Sequence, residues 1–426
     1  MEREAEVTPL HSRHAAAGAK MTDFRGWNMP LWYPSGAVAE HRVVITHAGL
    51  FDTSHMGVLS VSGPDSRGLL QRCFTRDLDA CSGRAKGPLC LGRAIHGAFL
   101  NEDGGFVDDA ILYQTGPEDF LCVVNSGLDE TVRLHLIDHG GGLDVSVDNS
   151  SKEVGKLDIQ GPESVRILAE VIKDPVGILR DMRYFGFKGH FSARGEGAEV
   201  TLNDGTPVMV SRTGYTGELG FEILAAWDAI PSVWDRLLEA GREKGLIPCG
   251  LAARDSLRAG AVLPLSRQDV GPWPFINNPW HTALPFDRNE AGFTKRFVGD
   301  SVLVLRDTAD WTLPFCGYDP RKVPSGGTSE VFDSSGRPIG TVLTCVADMA
   351  IARYGSKVFG MASPDKPVDF VPTGLICGFV KVKSRLAPGT EVDLRDKRRR
   401  VPVMIVDDVR PHRSARCSIS EMFNGL

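Results

Sequence analysis

From residue 57 to a helix beginning near Ser126 the apolar pattern runs strand, helix, strand, strand, strand, helix, and this order constrains the fold more than any other feature of the chain. A strand pattern at 57–62 leads to a helix that opens at Pro64-Asp65 and runs through Leu69 and Leu70. The runs RAIHGAFL and FVDDAILY flank the turn NEDGG, and FLCVVN (120–125) follows before a helix predicted from near Ser126. The expectation is therefore an α+β fold, not the regular alternation of a doubly wound one.

The rest of the chain extends this pattern. Residues 36–50 read as a helix that stops at Gly49. Strands are predicted at 154–160 and 207–212, and helices at 228–244 and 248–262. Beyond about residue 300, runs such as GLICGFVKV and VPVMIVDDV lie between Gly, Pro and Asp, which predicts a small all-β module. A chain of 426 residues exceeds the size at which one hydrophobic core keeps growing, so two or three domains are expected. Its net charge of −6 argues against nucleic-acid binding, which calls for a basic surface. No apolar run approaches the length of a membrane span, and the charged N-terminus lacks the apolar segment of a secretion signal. A cytoplasmic protein without membrane contact is expected. Nine cysteines, none in a C-x-x-C pair, read as scattered thiols in a reducing compartment, and no spacing predicts a metal site.

Chemistry concentrates in three places: FRGWNMPLWY with GLFDTSHMG, NEDGGFVDDAILY with CVVNSG, and SRTGYTGELGFEI with GLAARDSLR. Strand alternation sends Asp108 and Asp109 to opposite faces. One of them, flanked by Val107 and Ala110, is directed into a poorly solvated pocket, where a carboxylate stabilises a developing ammonium or iminium. Read alone, such an aspartate equally caps a turn. GYTGELGFE sets a glycine-rich turn before a strand, which permits close backbone approach to a flat ligand. Tyr215 offers a ring face and a hydroxyl, and Glu222 can accept hydrogen bonds from an amino-pyrimidine edge. Arg254 stands at a predicted helix start, suited to a ligand oxygen or carboxylate, or else to a structural contact with Asp255. Glu218 reads as a surface turn residue, and the lone His55 as structural before catalytic.

In order and approximate spacing these segments resemble the glycine cleavage T-protein (aminomethyltransferase) family, from about residue 9 to 265. The resemblance implies two α+β domains, 1–50 plus 150–290 and 51–149, followed by a small β-barrel-like domain over 291–426. It implies tetrahydrofolate as cofactor, with a methyl or aminomethyl carbon arriving from a small-molecule donor or from a lipoyl carrier protein. A non-catalytic folate-binding protein of the same fold is the alternative. On the family pattern Asp109 lies beside the nitrogens that receive the carbon. Tyr215, Glu222, Arg254 and Asn125 bind the folate, and Met56, Ile111, Tyr113 and Val123 line the pocket. His96 stands where the family has a tyrosine that contacts folate.

The chain departs from that pattern in two further places. After AARDSLR it reads AGAVLPLSRQDVGPWPFINNPWHTALPFD, whose aromatic residues among prolines imply a reshaped substrate mouth or a loop joining domains. That change favours a small-molecule donor, while the intact Asp-Asp pair favours an amine. The segment GTVLTCVADMAIARYGSKVFGMASPDKPVDF lacks the family's usual pattern near where a carrier would present its group. DKRRR (396–400) reads as a solvated hairpin tip, or as an anchor for a folate polyglutamate tail or an acidic carrier. A nicotinamide or flavin oxidoreductase is weakly supported, because no G-x-G-x-x-G follows a strand and opens a helix.

Overall fold

The structure, a computed structural model, describes residues 5–81, 86–191, 199–289, 292–303 and 309–420. Its first sheet is antiparallel and five-stranded, in the spatial order Ala94–Leu100, Phe106–Gln114, Asp119–Val124, Gly57–Ser62, Ser146–Asn149. The helices Ser66–Cys73 and Asp129–His139 cover one face, where Leu69, Leu70, Val132 and Leu136 join Leu59, Ala110 and Leu112 in a core. Ala110 and Leu112 are thereby placed under the helices, and the odd-numbered Asp109, Ile111 and Tyr113 turn to the other face.

That other face meets a second sheet through Val58, Tyr113, Leu121, Val123, Met209 and Leu224. The second sheet runs Phe187–Lys188, Met209–Ser211, Gly220–Ala226, Val154–Gln160, Ala48–Asp52, Leu246–Pro248, with only the last pair parallel. Its outer side packs Leu157, Ile159, Phe221 and Ile223 against Val165 and Leu168 of the helix Ser164–Val171, and against Val233 and Leu237 of the helix Ile230–Gly241. Alternation along Val154–Gln160 therefore turns Lys156 and Asp158 inward, towards the first sheet. Six strands between Trp311 and Ile405 close into a barrel filled by Phe315, Val331, Val342, Val380, Leu394 and Val403. Closure leaves the barrel no open edge.

Most predicted elements are present, with informative shifts. The strand predicted at 154–160 is found as Val154–Gln160. The helix expected over 36–50 ends at Thr46, and Gly49 lies inside the strand Ala48–Asp52. A Cβ there would stand 2.6 Å from Val44 Cγ2 and 2.7 Å from Cys249 Sγ, so the glycine serves close packing of helix on strand, not a helix stop. The helix expected near Ser126 opens at Asp129, after Gly127 takes φ +71°.

The aromatic segment after 270 is not an open surface. Phe275, Ile276, Trp280, Ala283 and Leu284 are buried against Ala98, Leu100 and Phe106 of the first sheet. Lys381 Nζ of the barrel sits 4.3 Å from the Trp273 ring centre, so the segment fastens sheet to barrel. Among the described residues no helix is long and apolar enough to cross a membrane.

Candidate active site

A cavity of about 1330 Å³ lies where the two sheets and the barrel meet. On the first sheet, a chain of polar contacts reaches into it. Arg25 Nη2 donates to Ser266 O (2.6 Å), and Ser266 Oγ donates to Asp108 Oδ1 (2.6 Å). Asn125 Nδ2 then bridges the two aspartates, 2.9 Å from Asp108 Oδ1 and 2.8 Å from Asp109 Oδ1. Asp109 Oδ2 meets His96 Nε2 at 3.0 Å, and the His96 ring lies 4.6 Å from that of Trp280. Asp109 keeps 17 % of its side chain exposed, and it lines the cavity; Asp108 is fully enclosed. Burial, reinforced by the charge of Asp109, pushes the Asp108 carboxyl up to about 7 against the hydrogen bonds from Ser266 and Asn125.

The second sheet presents an ion network. Glu222 and Asp158 are directly opposed on neighbouring strands, and Lys156 Nζ lies between them, 2.6 Å from Glu222 Oε1 and 2.5 Å from Asp158 Oδ1. Arg254 Nη1 reaches Asp158 Oδ2 at 2.6 Å, and its guanidinium lies 5.1 Å from the Tyr215 ring centre. Burial alone would raise Asp158, but Lys156 and Arg254 outweigh it and hold the carboxyl down at about 2. His55, edge-on to Phe24, is enclosed here and lines the cavity with its Nδ1 unpartnered. Burial, helped by the Arg254 and Lys156 charges, brings His55 down to about 4 despite Asp52, so its ring is neutral at pH 7.

Asp109, His96, Asn125, Tyr215, Glu222, Arg254, Met56, Ile111 and Val123 all border this cavity. Tyr113 does not. It is fully buried behind Glu222, to which its hydroxyl donates at 3.2 Å, so it supports the wall without lining it. Glu218 is likewise not a surface turn residue: it is 4 % exposed and accepts from Arg410 Nε (3.2 Å) and Ser414 Oγ (2.6 Å). The chain after the barrel folds back over this turn. Gly217, at φ +79°, has no room for a Cβ, which would stand 2.7 Å from that of Ala261.

Arg254 pairs with Asp158, while Asp255 pairs with Arg258. None of residues 396–400 lines the cavity; they close the hairpin between Glu391–Arg395 and Arg400–Ile405. Lys156, Asp158 and Ser266 are site residues outside the recognised motifs, while Arg25 and Asp108 lie inside those motifs without having been assigned to the site. The available signal was KLDIQ, two opposite charges at i and i+2 in an otherwise apolar strand, which must share a face.

The GCVT N-terminal domain model matches residues 10–273, more than half of the chain and most of this site. The chain belongs to the GCVT family. Proteins named aminomethyltransferase from Bacillus mycoides (strain KBAB4) and Bacillus cereus (strain AH187) are each 43 % identical to it over 263 residues. Those matches take in 62 % of this chain and 66 % of each relative, just under two thirds of the relatives' length. The crystal structure of glycine cleavage system aminomethyltransferase T from Bartonella henselae superimposes with a TM-score of 0.72 at 25 % identity, over 94 % of this chain and 96 % of that one. This GCVT-family chain thus shares the α+β fold with a terminal barrel over nearly its whole length.

Proposed function

We propose that this GCVT-family chain is a tetrahydrofolate-dependent one-carbon transferase acting on an amine donor. One observation carries the reading: Asp109, oriented by His96 and Asn125, faces a cavity whose opposite wall holds Glu222, Arg254 and Tyr215. The aminomethyltransferase name of the 43 % identical relatives supports it.

The wall residues have capacity left for a pterin. The two Glu222 oxygens accept from Lys156, Tyr113 and Thr213, three donors for about four lone-pair sites. Asp158 is the one side-chain acceptor found for Arg254 among the described residues, so further guanidinium N–H groups face the cavity. His55 Nδ1 adds a buried polar atom that the protein itself leaves unmet. Tetrahydrofolate, when bound, would supply the nucleophilic nitrogen that accepts the carbon.

The protein's own groups then do four things. Glu222, Tyr215 and Arg254 bind and orient the ring system, and the apolar Met56, Ile111 and Val123 exclude water. Asp109 stabilises positive charge as it develops on the donor nitrogen. The hydrogen bond between His96 Nε2 and Asp109 Oδ2 holds a proton at the cavity edge, placed to pass to a departing amine. Trp280, which also lines the cavity, packs edge-on against His96 at 4.6 Å, and this aromatic border supports a small methylated amine over an aminomethyl group on a lipoyl carrier.

Calorimetry with tetrahydrofolate tests the core of the reading, and absence of binding overturns it. Assaying methylene-tetrahydrofolate formation from an aminomethyl-lipoyl carrier, beside methylated-tetrahydrofolate formation from methylated amines, decides the donor.

A further inference from the structure

On the far side of the first sheet from the cavity, three side chains with metal-ligating atoms converge. Cys73 ends the helix Ser66–Cys73, and His135 and His139 lie one turn apart on the neighbouring helix Asp129–His139. Their ligand atoms all lie within 4.8 Å of one another. Histidines at i and i+4 share a helix face, the spacing by which one helix offers two imidazoles to one ion.

Two further observations point to a cation here. His135 Nε2 is buried with no hydrogen-bond partner, although a buried polar atom is ordinarily satisfied. His139 Nδ1 lies 2.8 Å from the backbone oxygen of His135 and must carry a proton to bond with it. In the neutral ring Nε2 then presents a lone pair, and it faces Glu102 Oε1 at 3.3 Å. Two acceptors so close repel unless a positive charge stands between them, either a proton on Nε2 or a metal ion. Fixing Nδ1–H on a backbone carbonyl is how proteins orient a histidine that ligates through Nε2.

We propose that Cys73, His135 and His139, with Glu102 closing the set, bind one Zn²⁺ ion. Thiolate, two imidazoles and a carboxylate form a tetrahedral set of the kind zinc takes, and the softness of sulfur disfavours Mg²⁺ and Ca²⁺. Four protein ligands leave no open position, so the ion is structural. It ties the two covering helices to the turn 101–105, from which the strand carrying Asp108 and Asp109 departs. Binding displaces the Cys73 thiol proton to solvent. No spacing in the sequence announces this set, because His135 and His139 are only a pair on one helix and Cys73 comes from another.

The test uses tag-free full-length protein, stripped with a chelator and returned to Zn²⁺ or Co²⁺. The expected result is one equivalent retained after desalting, a sulfur-to-cobalt charge-transfer band, and a Tm raised by several degrees with Zn²⁺. Cys73→Val, which keeps apolar packing, loses the charge-transfer band, and His139→Asn weakens binding by more than about 10-fold. Because Cys73 is fully buried, His139→Asn carries the test alone should the valine variant not fold. Absence of retained metal in the unaltered protein overturns the proposal. So does an undiminished affinity and spectrum in His139→Asn, which would place the ion on other thiols.

Discussion

The two walls of the cavity each bury a carboxylate completely, yet they treat it in opposite ways. Asp158 on the second sheet has Lys156 at 2.5 Å and Arg254 at 2.6 Å, and it stays ionised down to about pH 2. Asp108 on the first sheet is held by neutral donors and stands next to a second aspartate, and it titrates near 7. One wall has fixed charge suited to reading a ligand; the other has a proton balanced at physiological pH and coupled through Asn125 to Asp109. On the proposed function, environments that push like groups apart divide ligand binding from proton handling.

Four experiments break or sharpen this contrast. The largest effect is expected from Lys156→Met, which leaves Glu222 and Asp158 facing each other across paired strands; unfolding in urea should show a loss of about 3–5 kcal/mol. An unchanged midpoint would mean the second wall is not held by its charges. Asp109→Asn comes next. Tetrahydrofolate affinity by calorimetry should move only a few-fold while turnover falls by about 10²-fold or more, some 2.7 kcal/mol of transition-state stabilisation. Equal losses in both would merge the two roles that the walls are argued to separate.

Asp108 gives a pH signature of unusual sign. The folded protein keeps its proton up to about pH 7, the unfolded chain only to near 3.8. Between those values the folded state binds more protons, so this group's contribution to stability falls as pH rises. Relative to the unaltered protein, Asp108→Asn should therefore gain about 2 kcal/mol between pH 5 and 7, read from urea midpoints at each pH. A flat difference would show that the carboxyl is ionised throughout. The smallest change is expected at His96→Phe, which removes the partner of Asp109 Oδ2 but keeps a ring against Trp280. Turnover should drop about tenfold with folate affinity kept, the worth of one hydrogen bond to a charged group.

How much of this was legible beforehand varies with the range of the interaction. The order of elements from residue 57 onward implied an α+β fold, and strand alternation separated Asp108 from Asp109 without any knowledge of what lay on either side. The family pattern then picked Asp109, Glu222, Tyr215 and Arg254 for one site, and the fold brings them to one cavity. The polar segment around Glu218 misled for a physical reason. Its partners Arg410 and Ser414 arrive from beyond the barrel, so a glycine-rich turn that looks solvated locally is enclosed by chain from far away. Tyr113 shares a face with Asp109, yet sheet-on-sheet packing closes over it.

Periodicity and turn chemistry act over a few residues, and at that range the residues themselves determined which side chains share a face and where strands reverse. Which charges neutralise one another was decided only by tertiary packing. Asp158 and Arg254 lie 96 positions apart, and Asp108 and Ser266 lie 158 apart. A buried carboxylate's protonation depends on the few ångströms around it, and those are filled by distant segments whose arrival no local pattern records.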